Sequence, residues 1–179
     1  MSRNVNIYFS LDLEKIIGNQ EFNSNVDNPT LIKPEHAHII VLDTKSNLLV
    51  DHGGEELSLS GMSVGSRIYW KVSSLSRYDS AYSVLLTKYI RKNSSPYIQK
   101  PSLVVRENMV RPILTSESTS DSLVIKPQKI PMHYWETSID NVGNSVTENY
   151  IGYFTVYDNK AQVKGYCKWE HKLTLSDIE

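Results

Sequence analysis

Four groupings in this 179-residue chain bring together residue types able to do chemistry. His36-Ala37-His38 sets two imidazoles at i and i+2. In a strand these project from one face, about 6.6 Å apart, the spacing of a metal-dependent enzyme of the cupin type. Asp43 stands loosely where such a site wants a carboxylate, but no Pro-Gly-His stretch follows to complete it. Three or four converging ligands are the norm. Gly61-Met62-Ser63-Val64-Gly65 spells G-x-S-x-G, a pattern that activates serine only on a strand-to-helix turn. The following Arg67-Ile68-Tyr69-Trp70-Lys71-Val72 reads as a strand, so the hydrolase reading lacks its scaffold. Cys167 and His171 share a strand face but lie about 13 Å apart, beyond the roughly 3 Å contact of a nucleophile and its base. Arg77-Tyr78-Asp79 offers an aromatic plate between a cation and a carboxylate, a candidate grip for paired saccharide hydroxyls. The same residues also make an ordinary polar turn.

The elements that must position these groups are short strands. Val5, Ile7, Phe9 and Leu11 alternate with polar residues, which predicts a half-buried strand. Asp12 is placed to cap one or two helical turns that Gly18 would end. Further strands are expected in His36–Leu42, Leu48–Val50, Glu56–Ser60, Ser66–Leu75, Ser80–Ile90, Ser102–Val110 and Met132–Ile139. Pro127 and Pro131 bracket the passage into the last of these, and Thr115–Ser122 is polar and irregular. The closing unit is two strands around Asp158–Gln162. In its second strand Val163, Cys167, Trp169, Leu173 and Leu175 form the predicted core face, with Lys164, Lys168 and Lys172 toward solvent. His171 falls on the core face. It marks a bulge, a contact with a neighbouring chain, or a hydrogen-bonded buried imidazole. Short strands between Gly, Pro, Asn and Ser turns predict an all-β, jelly-roll-like antiparallel β-sandwich with one short helix after the first strand. A single domain over residues 1–179 accommodates it.

Composition narrows the function classes. Nineteen basic and 20 acidic residues leave a net charge of −1, which argues against a nucleic-acid binder. No apolar run nears the roughly 20 residues of a spanning helix, and the N-terminus reads poorly as a signal peptide. A cytoplasmic protein is expected, with non-classical release left open. The one cysteine excludes an internal disulfide framework and a cysteine-rich zinc site. Eleven Tyr and three Trp serve cross-strand packing or an interface.

Several stretches taken in order resemble the bacterial AidA/PixA inclusion body protein family. They are Asn28-Pro29-Thr30, Val64-Gly65 with Ile68 and Trp70, Asp79 with Tyr82-Ser83-Val84, and Gly165-Tyr166 with Trp169. The resemblance runs from about Val5 to Leu175. It implies a compact β-sandwich of host-associated bacteria, without enzymatic activity or cofactor, some members of which collect in cytoplasmic inclusions. The inclusion-forming type is methionine-rich, whereas this chain has four Met. The expected function is therefore a non-enzymatic, self-associating protein, a dimer or higher homo-oligomer, acting in host interaction. Tyr153 and Tyr157 are its candidate contact residues. A lectin-like module binding a host glycan through Arg77, Tyr78 and Asp79 is the alternative, and the cupin-type enzyme a third. No nucleic acid and no membrane insertion are expected.

Overall fold

The structure, a computed structural model, describes residues 2–43, 48–52, 55–75, 81–141 and 145–176. The alternating N-terminal segment forms β1 (Asn4–Leu11), with Val5, Ile7, Phe9 and Leu11 fully buried. Asp12 then caps α1 (Leu13–Gly18), its carboxylate accepting the Lys15 N–H at 3.1 Å. The helix buries Leu13 and Ile16. Next come β2 (Thr30–Leu31), a 3-10 turn at Pro34–His36, β3 (Ala37–Asp43), β4 (Leu48–His52), β5 (Glu56–Leu59) and β6 (Arg67–Ser74). β7 (Tyr82–Arg91), β8 (Ser102–Leu114), β9 (Ile125–Ser138), β10 (Val146–Asp158) and β11 (Val163–Leu175) complete the chain.

These strands build the expected all-β sandwich. One sheet runs β4-β3-β1-β6-β9-β8 and the other β2-β11-β10-β7, with β5 also paired to β11. Most ladders are antiparallel, but β1–β6, β11–β2 and β11–β5 are parallel. The β1–β6 pair is parallel because the chain leaves the first sheet after β4, adds β5 to the second, and returns beside β1. Parallel neighbours need such a crossover.

The two layers meet through large rings. Phe9 projects from the first sheet onto Phe154, Trp169 and His171 of the second, at centroid distances of 5.9, 5.5 and 5.2 Å. Each fully buried ring of this size stabilises the fold by about 1.5–3 kcal/mol. Trp135 in β9 also ties the layers, its indole N–H donating to the Leu86 carbonyl in β7 at 3.0 Å.

Two sequence expectations change. Val163 does not join the core face: it is 48% exposed. The β10–β11 register slips between Val156 and Tyr157, so Val163 leaves the inward series that begins at Gly165. Pro127 and Pro131 do not precede the strand but lie inside β9, which is longer than predicted. β9 pairs with β6 only from Trp135 to Ser138, whereas its pairing with β8 continues to Ile125. The outer parts of β8 and β9 thus form a two-stranded arm beyond the sheet. There a proline nitrogen faces an unpaired edge, where proline is tolerated.

Gly165 shows how tightly the second sheet's edge is closed. A Cβ there would lie 2.4 Å from the Phe22 ring and 3.0 Å from the Asn23 carbonyl oxygen. The adjacent Tyr166 and Asn23 exchange both backbone hydrogen bonds, at 2.8 and 2.9 Å. Gly165→Ala is therefore expected to lower stability by about 1–3 kcal/mol, the usual range for overpacking. Urea unfolding of the two proteins measures it, and an unchanged midpoint would contradict the packing described.

Candidate functional site

The densest gathering of polar and aromatic groups lies inside the second sheet. Tyr150 in β10 pairs directly with His171 in β11, and Tyr89 in β7 pairs with Gly152. Gly152 offers no side chain, so the rings from either side close over it. A Cβ there would meet the Phe154 ring at 3.0 Å. Tyr89 and Tyr150 stack at 5.2 Å with their planes 3° apart, and His171 lies 5.8 Å from each, nearly parallel to both. Trp70 of the opposite sheet closes the layer, 4.7 Å from Tyr89.

His171 is thus the hydrogen-bonded buried imidazole among the three readings the sequence left open. Its Nε2 lies 2.9 Å from Tyr89 Oη. Either partner can be the donor: the phenol donates when the neutral ring carries its proton on Nδ1, and accepts when the proton is on Nε2. Burial pushes the His171 pKa down to about 3. Burial also raises the Tyr89 phenol well above its ordinary value, helped by Tyr150. Tyr150 is raised in the same direction, by burial and by the Glu148 carboxylate, against the pull of Arg91. At neutral pH the layer is uncharged.

Four polar atoms in and beside it, His171 Nδ1, Tyr150 Oη, Trp70 Nε1 and Trp169 Nε1, are buried without a hydrogen-bond partner in the geometry of the described residues. Each such atom costs about 1–3 kcal/mol. Tyr150, Trp169 and His171 also belong to the lining of a cavity of about 200 Å³.

The residues singled out by sequence fall elsewhere. His36 ends the 3-10 turn and does not enter the strand, so the expected same-face histidine pair does not form. Its Nδ1 lies 2.8 Å from Glu21 Oε2, both side chains buried, and Lys33 completes the group 3.4 Å from Glu21 Oε1. Burial works to raise the Glu21 carboxyl, but the His36 hydrogen bond and charge and the Lys33 contacts outweigh it and hold the carboxyl below its usual range. No cluster of three metal-ligating side chains forms among the described residues. Ser63 sits in a loop that feeds β6, 3.3 Å from Ser66 Oγ, with no helix after it. Cys167 is fully buried, and burial raises its thiol to about 12, helped by the Glu21 charge. Tyr153 is half-buried under the Lys88 amine at 5.1 Å, beside a cavity of about 180 Å³, and Tyr157 is half-buried where the register slips. Arg77, Tyr78 and Asp79 lie outside the described residues. The sequence reading missed Glu21 and the ring layer. Tyr89, Tyr150 and His171 each stood in a predicted strand, but nothing in one sequence reveals which strands become neighbours.

Fold and interior together define a class: a two-layer all-β protein that folds His36, His171 and its thiol inward. Its family follows from the sequence. A family model described as PixA, inclusion body protein, matches residues 3–175, and the chain belongs to that family. It is similar in fold to the crystal structure of an inclusion body protein from Burkholderia cenocepacia J2315, with a TM-score of 0.63 and 15% identity over 98% of this chain and 97% of that one. No curated protein matches the sequence. Among the described residues no helix is long and apolar enough to cross a membrane.

The neutral His171 sets a pH dependence. Its folded pKa lies below the unfolded value, so its contribution is complete above about pH 6.5 and is lost as pH falls toward 3, because only the unfolded chain takes up the proton. The groups around the ring, Tyr89, Tyr150, Trp169 and Phe9, are uncharged at these pH values. The slope is at most about 1.4 kcal/mol per pH unit. His171→Gln is expected to flatten the stability curve between about pH 6.5 and 5, above the range in which exposed carboxylates titrate. Denaturant titrations of both proteins at several pH values check this, and parallel curves would contradict it.

Proposed function

We propose that this chain is a non-enzymatic, self-associating protein whose copies dock through the β8–β9 arm. The observation that carries this reading is the arm's uncovered face. Val110, Pro112 and Leu114 stand opposite Lys129, Pro127 and Ile125. Val110, Leu114 and Ile125 are 57%, 60% and 58% exposed. A two-stranded ribbon is marginal in water unless another layer covers it. A contiguous apolar face on such a ribbon marks an interaction surface.

The prolines indicate how the copies meet. Pro112 and Pro127 are paired opposite each other. Neither carries an N–H, so each outer edge of the arm lacks a donor at that point. Proline on an edge is a device against strand addition. Docking therefore uses the face and not the edge, and two arms laid face to face about a two-fold axis give the simplest closed contact. The family's description as an inclusion body protein agrees with ordered assembly.

What favours a non-enzymatic role is the state of the reactive types. The Cys167 thiol is held protonated, His171 is held neutral, and the His36 ring is tied to Glu21.

Light scattering on size-separated protein tests the proposal. The native chain is expected as a dimer or larger. The double variant Leu114→Glu/Ile125→Glu is expected as a monomer with unchanged circular dichroism, because both side chains are exposed in the single chain. Tyr153→Glu compares the face expected from sequence. A monomeric native protein would remove self-association. An unaltered mass in the double variant, or dissociation by Tyr153→Glu alone, would remove the arm as the contact.

A further inference from the structure

We propose that a crevice between β6 and β9 binds a small carboxylate carried on an apolar body. The crevice opens where the first sheet divides. β6 and β9 pair from Arg67 and Ser138 only as far as Trp70 and Trp135. Beyond that point β6 runs on to Ser74, while β9 follows β8 outward into the arm. The strands part with residues 71–73 on one side and 130–133 on the other. The space between them is about 280 Å³. It has room for roughly nine waters, or for a short alkyl chain or a single ring with one polar head.

The lining is one-sided in charge. Lys71, Arg111 and His133 belong to it, and no acidic residue does. Among the described residues none of the three is ion-paired. Three other cavities each set a carboxylate beside a cation: Glu170 with Lys92, Glu136 with Arg67, and Asp27 with Lys88. The whole chain has 20 acidic residues against 19 basic ones, so the imbalance belongs to this crevice and not to the protein.

The cationic ends lie at the wall and can be reached. Lys71 Nζ stands over the Tyr8 ring, 5.5 Å from its centroid, and Arg111 Nη2 donates to Met132 Sδ at 3.3 Å. Tyr8 and Met132 both line the crevice. Lys71 and His133 are half-buried and Arg111 is exposed, so none of them is sealed from solvent. A thioether is a weak acceptor and leaves the guanidinium fork unsatisfied. That fork grips a carboxylate through two parallel N–H bonds. The rest of the wall is apolar, with Val72, Val84, Leu85 and Ile130. An inorganic anion would leave these side chains uncovered, and a neutral apolar molecule would leave the cations without a partner. A carboxylate on an alkyl or aryl body satisfies both. Side chains alternate along a strand, so Arg111 stands on the arm face opposite Val110 and Pro112. Binding here therefore does not rest on self-association.

The test follows the carbon-13-labelled methionine methyl signals of the full chain by nuclear magnetic resonance while probes are added. Met132→Leu assigns the Met132 signal by its loss. Hexanoate and benzoate are the carboxylate probes, and hexanamide and benzamide are their uncharged counterparts. Inorganic phosphate supplies charge without an apolar body. At least one carboxylate is expected to shift the Met132 signal saturably at millimolar concentration, with its amide and phosphate at least about tenfold weaker. Arg111→Gln and Lys71→Gln are each expected to weaken binding by about fivefold or more. Lys126→Gln, which removes the partner of Glu117, is expected to leave it unchanged. The proposal is overturned if neither carboxylate moves the Met132 signal, or if the amides or phosphate bind as tightly. It is also overturned if Arg111→Gln binds like the native chain, or if Lys126→Gln weakens binding as much as Arg111→Gln does. Arg111 is exposed, so its variant is expected to fold, and the native series decides the question even where the Lys71 variant unfolds.

Discussion

The neutrality of the ring layer is the constraint on which this structure rests. Tyr89, Tyr150 and His171 come from three adjacent strands of one sheet, and they stack over the gap left by Gly152. Phe9 and Trp70 of the other sheet press on them from across the interior. A charged imidazole in that place would have no acid facing it, only phenols, indoles and a phenyl ring. The layer therefore keeps its proton count fixed, and the sandwich closes on it.

From this centre outward the molecule is unequally covered. On the β11 side the chain spends α1, the loop after it, β2, the 3-10 turn and β5 in closing one edge, with Gly165 fitted against Phe22 and Glu21 locked to His36 and Lys33. On the other side β8 and β9 run past the last residues that β6 can pair, and no second layer follows them among the described residues. Burial is correspondingly steep: β10 and β11 are buried on nearly every inward position, whereas most of β8 is exposed. A sheet protein of this size has enough apolar sequence to cover one flank well. The arm is where that coverage stops.

Much of this was legible in the sequence, and what was not has physical causes. Alternation placed β1 and β11 because each has one face on the core, which is the condition under which a period of two appears. Asp12 and Gly18 marked the helix because capping is local. Pro127 and Pro131 misled because the argument that proline breaks a strand assumes neighbours on both sides, and β9 has only one there. Val163 misled because a slip in register reverses facing without changing the letters. The tie between Glu21 and His36 joins a loop to a turn 15 residues later. It has no periodic signature at all. β2 and β5 are two and four residues long, and their shared partner strand lies more than a hundred residues further on, so the opening between them exists only in three dimensions.

The topology separates two surfaces that remain open. β7 lies against β6, and Trp135 of β9 reaches the Leu86 carbonyl in β7, so the flank of the sandwich that carries β9 and β8 is the flank of β7. The free edge of β11 is on the far side of β10 from β7. Docking through the arm, as proposed, leaves that edge uncovered. His171 and Cys167 lie inward and neutral between these two surfaces. What stays open is an apolar face on one flank and a cleft at the β11 edge on the other.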